Sequence, residues 1–165
     1  MGEVARSAIQ VAKALGAHVT SVCSAKNRTL VEGLGSDAWL DYQGRDVFAP
    51  DPAGAGAAGY DLVFDVFGNQ SLRRVRPVLA ARGCYVSTVP SARVAWDSLR
   101  TRFAAQRAQL VVVRSRAADL AQIADWVEQG KLRAVVHAVY DLEQAIAAQQ
   151  QVESKHSRGK VVVRM

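Results

Sequence analysis

The sequence predicts an α/β fold: a doubly wound parallel sheet covered by helices on both faces, then a separate strand–helix–strand. Three observations carry this. Helical periodicity alternates with short apolar, β-rich runs along the whole chain. Half of the 165 residues are hydrophobic, with Ala and Val dominant and only three Trp, four Tyr and four Phe, which suits helices packed on a sheet better than a β-sandwich. The run Asp61–Val66 (DLVFDV) is almost continuously apolar, as in a parallel strand buried on both faces.

The elements follow in order. Val4–Leu15 reads as a helix with Ala5, Ala8, Ile9, Ala12 and Leu15 on one face, and Gly16 ends it. His18–Cys23 is short and β-rich, a strand. Asn27–Leu34 is a second helix, stopped by Gly35, and Ala38–Leu40 a short strand. Residues 43–59 form a loop loaded with Gly, Ala and Pro. After the strand Asp61–Val66, Ser71–Arg82 is helical but breaks at Pro77. Cys84–Ser87 is a strand, Asp97–Gln106 a helix and Leu110–Arg114 a strand. Ala117–Gln129 is a helix with Leu120, Ile123, Ala124 and Val127 on one side. Leu132–Val139 is a strand, and Asp141 caps a helix running to about Ser154, with Gln144 at the capping-box position. Lys160–Arg164 is the final strand.

Composition narrows the function. No apolar run reaches the roughly 20 residues of a membrane span, and Glu3 and Arg6 interrupt any signal-peptide stretch. A soluble, cytoplasmic protein with no membrane partner is expected. The net charge is +6, but Arg is spread along the chain without interleaved aromatics, so no nucleic-acid partner is expected. Cys23 and Cys84 give neither a disulfide framework nor zinc spacing, and the histidines do not supplement them, so no metal is expected. No Ser-His-Asp arrangement and no paired acid–base carboxylates stand out. The catalytic residues are unknown at this level.

Several stretches, by their order and spacing, resemble one family. Gly2-Glu3-Val4-Ala5-Arg6-Ser7-Ala8-Ile9-Gln10-Val11-Ala12-Lys13 is similar to its G-x-V-G-x-x-A-I-Q-x-A-K, and Leu34-Gly35-Ser36-Asp37 with Asp41-Tyr42 to its L-G-A-D…D-Y. Tyr60-Asp61-Leu62-Val63-Phe64-Asp65 with Gly68 matches Y-D-x-V-x-D-x-x-G. Gly130–Arg133, Tyr140–Glu143 and Arg158–Val162 resemble its C-terminal end. The family is the medium-chain dehydrogenase/reductase superfamily, in its zinc-free quinone-oxidoreductase branch, and the resemblance covers essentially the whole chain. It implies a Rossmann-like dinucleotide-binding domain over residues 1–130 and, over 131–165, the C-terminal segment of the barrel-like catalytic domain. It implies hydride transfer from NADPH to a small electrophile, a quinone or an activated C=C or C=O group. The resemblance covers only part of a family member. The barrel-like domain that precedes the nucleotide fold has no counterpart, and the first strand with the first fingerprint glycine is expected to lie before Met1. A homodimer or a complementing N-terminal domain is the expected partner. A non-catalytic NADPH-binding protein or an inactive remnant is the alternative.

Aligned on Ala8-Ile9-Gln10, Gly2 takes the second glycine of the phosphate-binding fingerprint and Ala5 the third. Gly2 and Val4 would then lie against a pyrophosphate at a helix N-terminus, where free N–H groups and the dipole favour an anion. NAD enzymes place an acid after the second strand for the ribose 2′-hydroxyl. Here Cys23 is followed by Ser24-Ala25-Lys26-Asn27-Arg28, a hydroxyl and two cations with no acid, which favours NADPH. The resemblance sets Ser24, Lys26 and Tyr42 around the 2′-phosphate. In the plainer alternative Ser24 or Asn27 caps the next helix and Lys26 is solvated. Phe67, Gly68, Ser87 and Thr88 follow strands and so lie where open α/β sheets bind ligands, on the nicotinamide-ribose side. For Phe67 the alternative is core packing. Lys155 and Arg158, in a basic turn, are placed by the resemblance near the adenine end, and the alternative is a solvated turn.

Overall fold

The computed structural model describes residues 2–49, 59–154 and 159–165. The chain divides into two compact units, residues 1–43 with 116–165, and residues 44–115.

The first unit opens with α1 (Glu3–Ala14), followed by β1 (Thr20–Val22), a 3-10 turn (Ala25–Asn27), α2 (Arg28–Gly33) and β2 (Ala38–Leu40). β1 and β2 are parallel, with Thr20 opposite Ala38 and Val22 opposite Leu40. Ile9, Cys23, Val31 and Leu34 form the core, with Val19, Leu30, Trp39 and Val135 packed against it. The buried stripe of α1 is Arg6, Ile9 and Gln10, spaced three and four apart. It differs from the expected face: Leu15 caps the helix and is exposed. Gln10 is buried because its amide has a partner. It accepts from Arg133 N at 2.9 Å and donates to Arg133 O at 3.2 Å. Lys13 and Asp37 tie α1 to the turn before β2, and Asp37 also takes the Val19 N–H at 2.7 Å.

The same unit ends with α5 (Ala117–Glu128), β6 (Val136–Asp141), α6 (Ala145–Glu153) and β7 (Lys160–Arg164). β6 and β7 are a parallel pair, the strand–helix–strand the sequence predicts. Gln144 accepts from Asp141 N at 3.2 Å at the start of the intervening helical segment. α5 buries none of its residues, so the apolar side expected from Leu120, Ile123 and Val127 faces outward.

The second unit is a three-stranded parallel sheet in the order β3 (Tyr60–Asp65), β4 (Leu79–Ser87), β5 (Arg107–Leu110). α3 (Leu72–Val75) continues as a 3-10 turn through Pro77, and α4 (Ala92–Arg100) starts at Ser91, whose Oγ accepts from Val94 N at 3.2 Å. Leu72, Val75, Leu79, Tyr85, Val94 and Ala108 are the core. β3 is not buried on both faces. Val63 packs inward, whereas Leu62 and Phe64, on the opposite face by the two-residue period of a strand, are exposed. Among the described residues β3 pairs with β4 on one edge and β1 with β2 on one edge.

Candidate functional site

The C-terminal ends of β1 and β2 form the first group. Because the strands are parallel and Val22 is opposite Leu40, Ser24 and Tyr42 follow their strands at the same level. Ser24 is buried and its Oγ accepts from Asn27 Nδ2 at 3.4 Å, with no side-chain cap on the following turn. Lys26 and Tyr42 are exposed. Cys23 is not at this rim: it is packed in the core, and burial pushes its thiol above the usual range. Its carbonyl accepts from Trp39 Nε1 at 3.0 Å. Arg28 lies over the Trp39 ring, 5.3 Å from its centroid, and pairs with Glu32 at 2.8 Å. This stacked guanidinium at the β1 end follows from the pairing of β1 with β2, which no local motif announces. Asp41, next to Tyr42 in sequence, spends Oδ1 on Gln43 N at 2.9 Å.

Gly2 is the exposed N-cap of α1, with φ −72° and ψ 166°, and a Cβ there would meet no atom within 4 Å. The backbone is thus open to a close-approaching anion. Val4, in the first turn of α1, is exposed. Glu3 occupies the first turn and is paired with Lys160, so the local charge is neutralised within the unit.

The second group belongs to the second unit. Asp65 ends β3, is buried, and folds the next residues around its carboxylate. Oδ1 accepts from Phe67 N at 3.0 Å and Gly68 N at 2.9 Å; Oδ2 accepts from Gln70 N at 3.0 Å and Tyr85 Oη at 2.9 Å. Gly68 has φ +66°, and a Cβ there would collide with Val89, so both the conformation and the space demand glycine. Phe67 is 63% exposed and therefore presents its ring rather than packing in the core. Ser87 is 0% exposed, its Oγ within 3.3 Å of both Val89 N and O, so it shapes the strand end from beneath. Thr88 joins the two strand ends, with N donating to Asp65 O at 3.1 Å and Oγ1 to Val66 O at 3.4 Å. Tyr85 is fully buried, and burial, then the Asp65 hydrogen bond and charge, push its phenol far up. Local sequence does not single out Asp65 and Tyr85 as site residues. The signal is the D-x-x-G spacing from Asp65 to Gly68.

Structure thus brings Ser24, Lys26 and Tyr42 to one sheet edge, Gly2 and Val4 to one helix start, and Phe67, Gly68, Ser87 and Thr88 to another sheet edge. Lys155 and Arg158 lie outside the described residues. Among the described residues no group of three His, Cys, Asp or Glu side chains could hold a metal ion, and no helix is long and apolar enough to cross a membrane.

Parallel strands carrying ligand-type loops at their carboxyl ends define a nucleotide-type α/β fold. The family model described as zinc-binding dehydrogenase matches residues 34–163. The chain belongs to this family, within the medium-chain dehydrogenase/reductase superfamily, and corresponds to the C-terminal portion of a quinone-oxidoreductase-like protein. It is 29% identical to the chloroplastic quinone-oxidoreductase QR1 of Triphysaria versicolor, over 98% of this chain and 49% of that protein. It is also 29% identical to the trans-enoyl reductase pgmF of Aspergillus terreus, over 95% of this chain and 47% of that one. The solved quinone oxidoreductase of Coxiella burnetii superposes with a TM-score of 0.75 at 25% identity, over 96% of this chain and 48% of that one. A structure described as an NAD-dependent alcohol dehydrogenase superposes with 0.74 at 27% identity, over 97% and 47%. The chain spans about half the length of these relatives.

Proposed function

We propose that this chain is the NADPH-binding part of an oxidoreductase acting on a quinone or another activated C=C or C=O acceptor. The observation that carries the reading is the β1 edge. Exposed Lys26, Arg28 stacked on Trp39 and paired with Glu32, and the Ser24 hydroxyl lie after β1, and Asp41 is engaged by its own turn. That set fits a 2′-phosphate and would leave a bare ribose hydroxyl without the usual carboxylate. Tyr42 flanks the same edge. Gly2 and Val4, at the open start of α1, would face the pyrophosphate. Phe67, Gly68, Ser87 and Thr88 would line the nicotinamide-ribose side.

The bound nicotinamide supplies hydride chemistry; the protein supplies binding, orientation and exclusion of water. Residues 1–130 are read as the dinucleotide-binding domain and 131–165 as a segment of the catalytic domain. A complementing N-terminal domain or a second copy would finish the pocket for the small electrophilic substrate, in the cytoplasm. A second reading, a non-catalytic NADPH-binding protein, is supported by the gathered residues themselves, which offer hydroxyls, backbone groups and cations with no acid–base pair among them.

Titration by cofactor fluorescence tests cofactor choice. A 2′-phosphate held by cations is worth about 1–3 kcal/mol, so NADPH should bind roughly 5- to 150-fold tighter than NADH. Lys26→Ala should shrink that ratio with no change in Tm, since Lys26 is exposed. Equal affinities for the two cofactors in the unaltered protein would refute the reading. Once binding is established, NADPH oxidation against a quinone panel separates the enzyme from the non-catalytic protein.

A further inference from the structure

The loop after β3 has an inward and an outward side, and the buried carboxylate decides which groups occupy each. Phe67 N, Gly68 N and Gln70 N all donate to Asp65. In a trans peptide the carbonyl points opposite to the N–H of the next residue, and the chain has no cis peptide among the described residues. The Phe67 carbonyl is therefore turned away from Asp65 by the Gly68 N–H, and the Asn69 carbonyl by the Gln70 N–H. The exposed Phe67 ring stands beside them. This side offers those two carbonyl acceptors and an aromatic ring, while three of the loop's backbone donors are spent inward. An anion needs the reverse, a nest of free N–H groups.

We infer that Asp65 and Tyr85 are positioning residues that make this loop specific for the neutral nicotinamide riboside end of the cofactor, with its hydroxyl and carboxamide donors, and poor for a phosphate. Neither side chain needs to touch the cofactor. Tyr85 Oη, bonded to Oδ2 at 2.9 Å from the buried neighbouring strand, fixes the carboxylate plane so that Oδ1 meets two N–H groups at once. Gly68 at φ +66° is the one residue type that lets the chain turn tightly enough for both. The inference rests on the cofactor reading proposed above.

The test uses the full 165-residue chain, Asp65→Asn and Tyr85→Phe, and two probes: NADPH, and adenosine 2′,5′-bisphosphate, which lacks the nicotinamide half. Asp65→Asn turns one acceptor oxygen into a donor and should weaken NADPH about tenfold, the cost of one or two lost charge-assisted bonds. Affinity for adenosine 2′,5′-bisphosphate should stay within about twofold. Tyr85→Phe keeps the carboxylate and should give the same split, smaller; it serves if Asp65→Asn fails to fold. Without any ligand, amide exchange at Phe67, Gly68 and Gln70 should speed up in both variants while the amides of β4 stay protected. Unchanged NADPH affinity, equal weakening of both probes, or unchanged exchange at the three amides overturns the assignment alone. Failure of the unaltered chain to bind either probe overturns the cofactor reading and the assignment with it.

Discussion

Asp37 shows how much one exposed carboxylate can organise. Lys13 Nζ donates to both of its oxygens at 2.8 Å and the Val19 N–H to one of them at 2.7 Å, joining α1, the approach to β1 and the approach to β2. The Lys13 bond first, then the Val19 N–H, hold its pKa below the ordinary 3.8. The folded protein therefore binds this proton more weakly than the unfolded chain does. The stabilisation is complete above the ordinary carboxylate value and is lost as pH falls through the lower folded value. Asp37→Asn should lower Tm by a few degrees at neutral pH, and the gap to the unaltered protein should close as pH falls through the lowered folded-state pKa. Calorimetry at two pH values checks this; a gap that persists in acid would show that the carboxylate charge is not what matters. Asp37 and Gly68 were visible in the sequence as members of spaced motifs. The partners that give them meaning, Lys13 and Val89, are distant or unmarked.

Elements were legible where one segment decides its own fate and shifted where a partner decides. α1, α5 and β7 stand within a residue or so of their expected bounds, because periodicity and a terminal glycine or polar residue mark them. The helix from Ser71 stops near Pro77 as its ring requires, but β4 begins at Leu79, five residues before the apolar run that announced it. β5 was expected at Leu110–Arg114, on the valines. It is Arg107–Leu110, since Cys84 pairs with Arg107 and Ser87 with Leu110. Register with a neighbour outranked hydrophobicity. α4 starts at Ser91 rather than Asp97 because the Ser91 cap supplies a start that the apolar spacing does not show. Gln10 makes the same point between elements. Its amide bonds both backbone groups of Arg133, and the Arg133 guanidinium reaches Gly33 O at 2.9 Å. Gln10→Leu leaves those two backbone groups unpaired and should cost roughly 1–3 kcal/mol. A urea midpoint unchanged from the unaltered protein would mean that water replaces the clamp without loss.

At the scale of the whole molecule, the parallel topology and the family were readable from the order and spacing of several weak motifs, none sufficient alone. Surface exposure was not readable, because a sequence pattern says which side is apolar and not what covers it. Leu62 and Phe64 on β3, Leu120, Ile123 and Val127 on α5, and Val136, Val139, Val162 and Val163 on β6 and β7 are all exposed. Parallel sheets are ordinarily covered on both faces, and a lone two-stranded sheet such as β6–β7 is marginal. β1 and β3 each keep one strand edge without a partner among the described residues, and such edges invite association. Apolar surface on this scale implies a mate, and the relatives are about twice as long. The 165 residues alone should therefore associate as concentration rises, bind a hydrophobic dye, and turn over NADPH and quinone weakly. Co-expression with the N-terminal portion of a relative should suppress the dye binding and, on the function proposed above, raise turnover. Sedimentation with a parallel quinone assay reads both. A monodisperse monomer with vigorous quinone reduction would mean that the exposed faces need no cover and that the pocket is already whole.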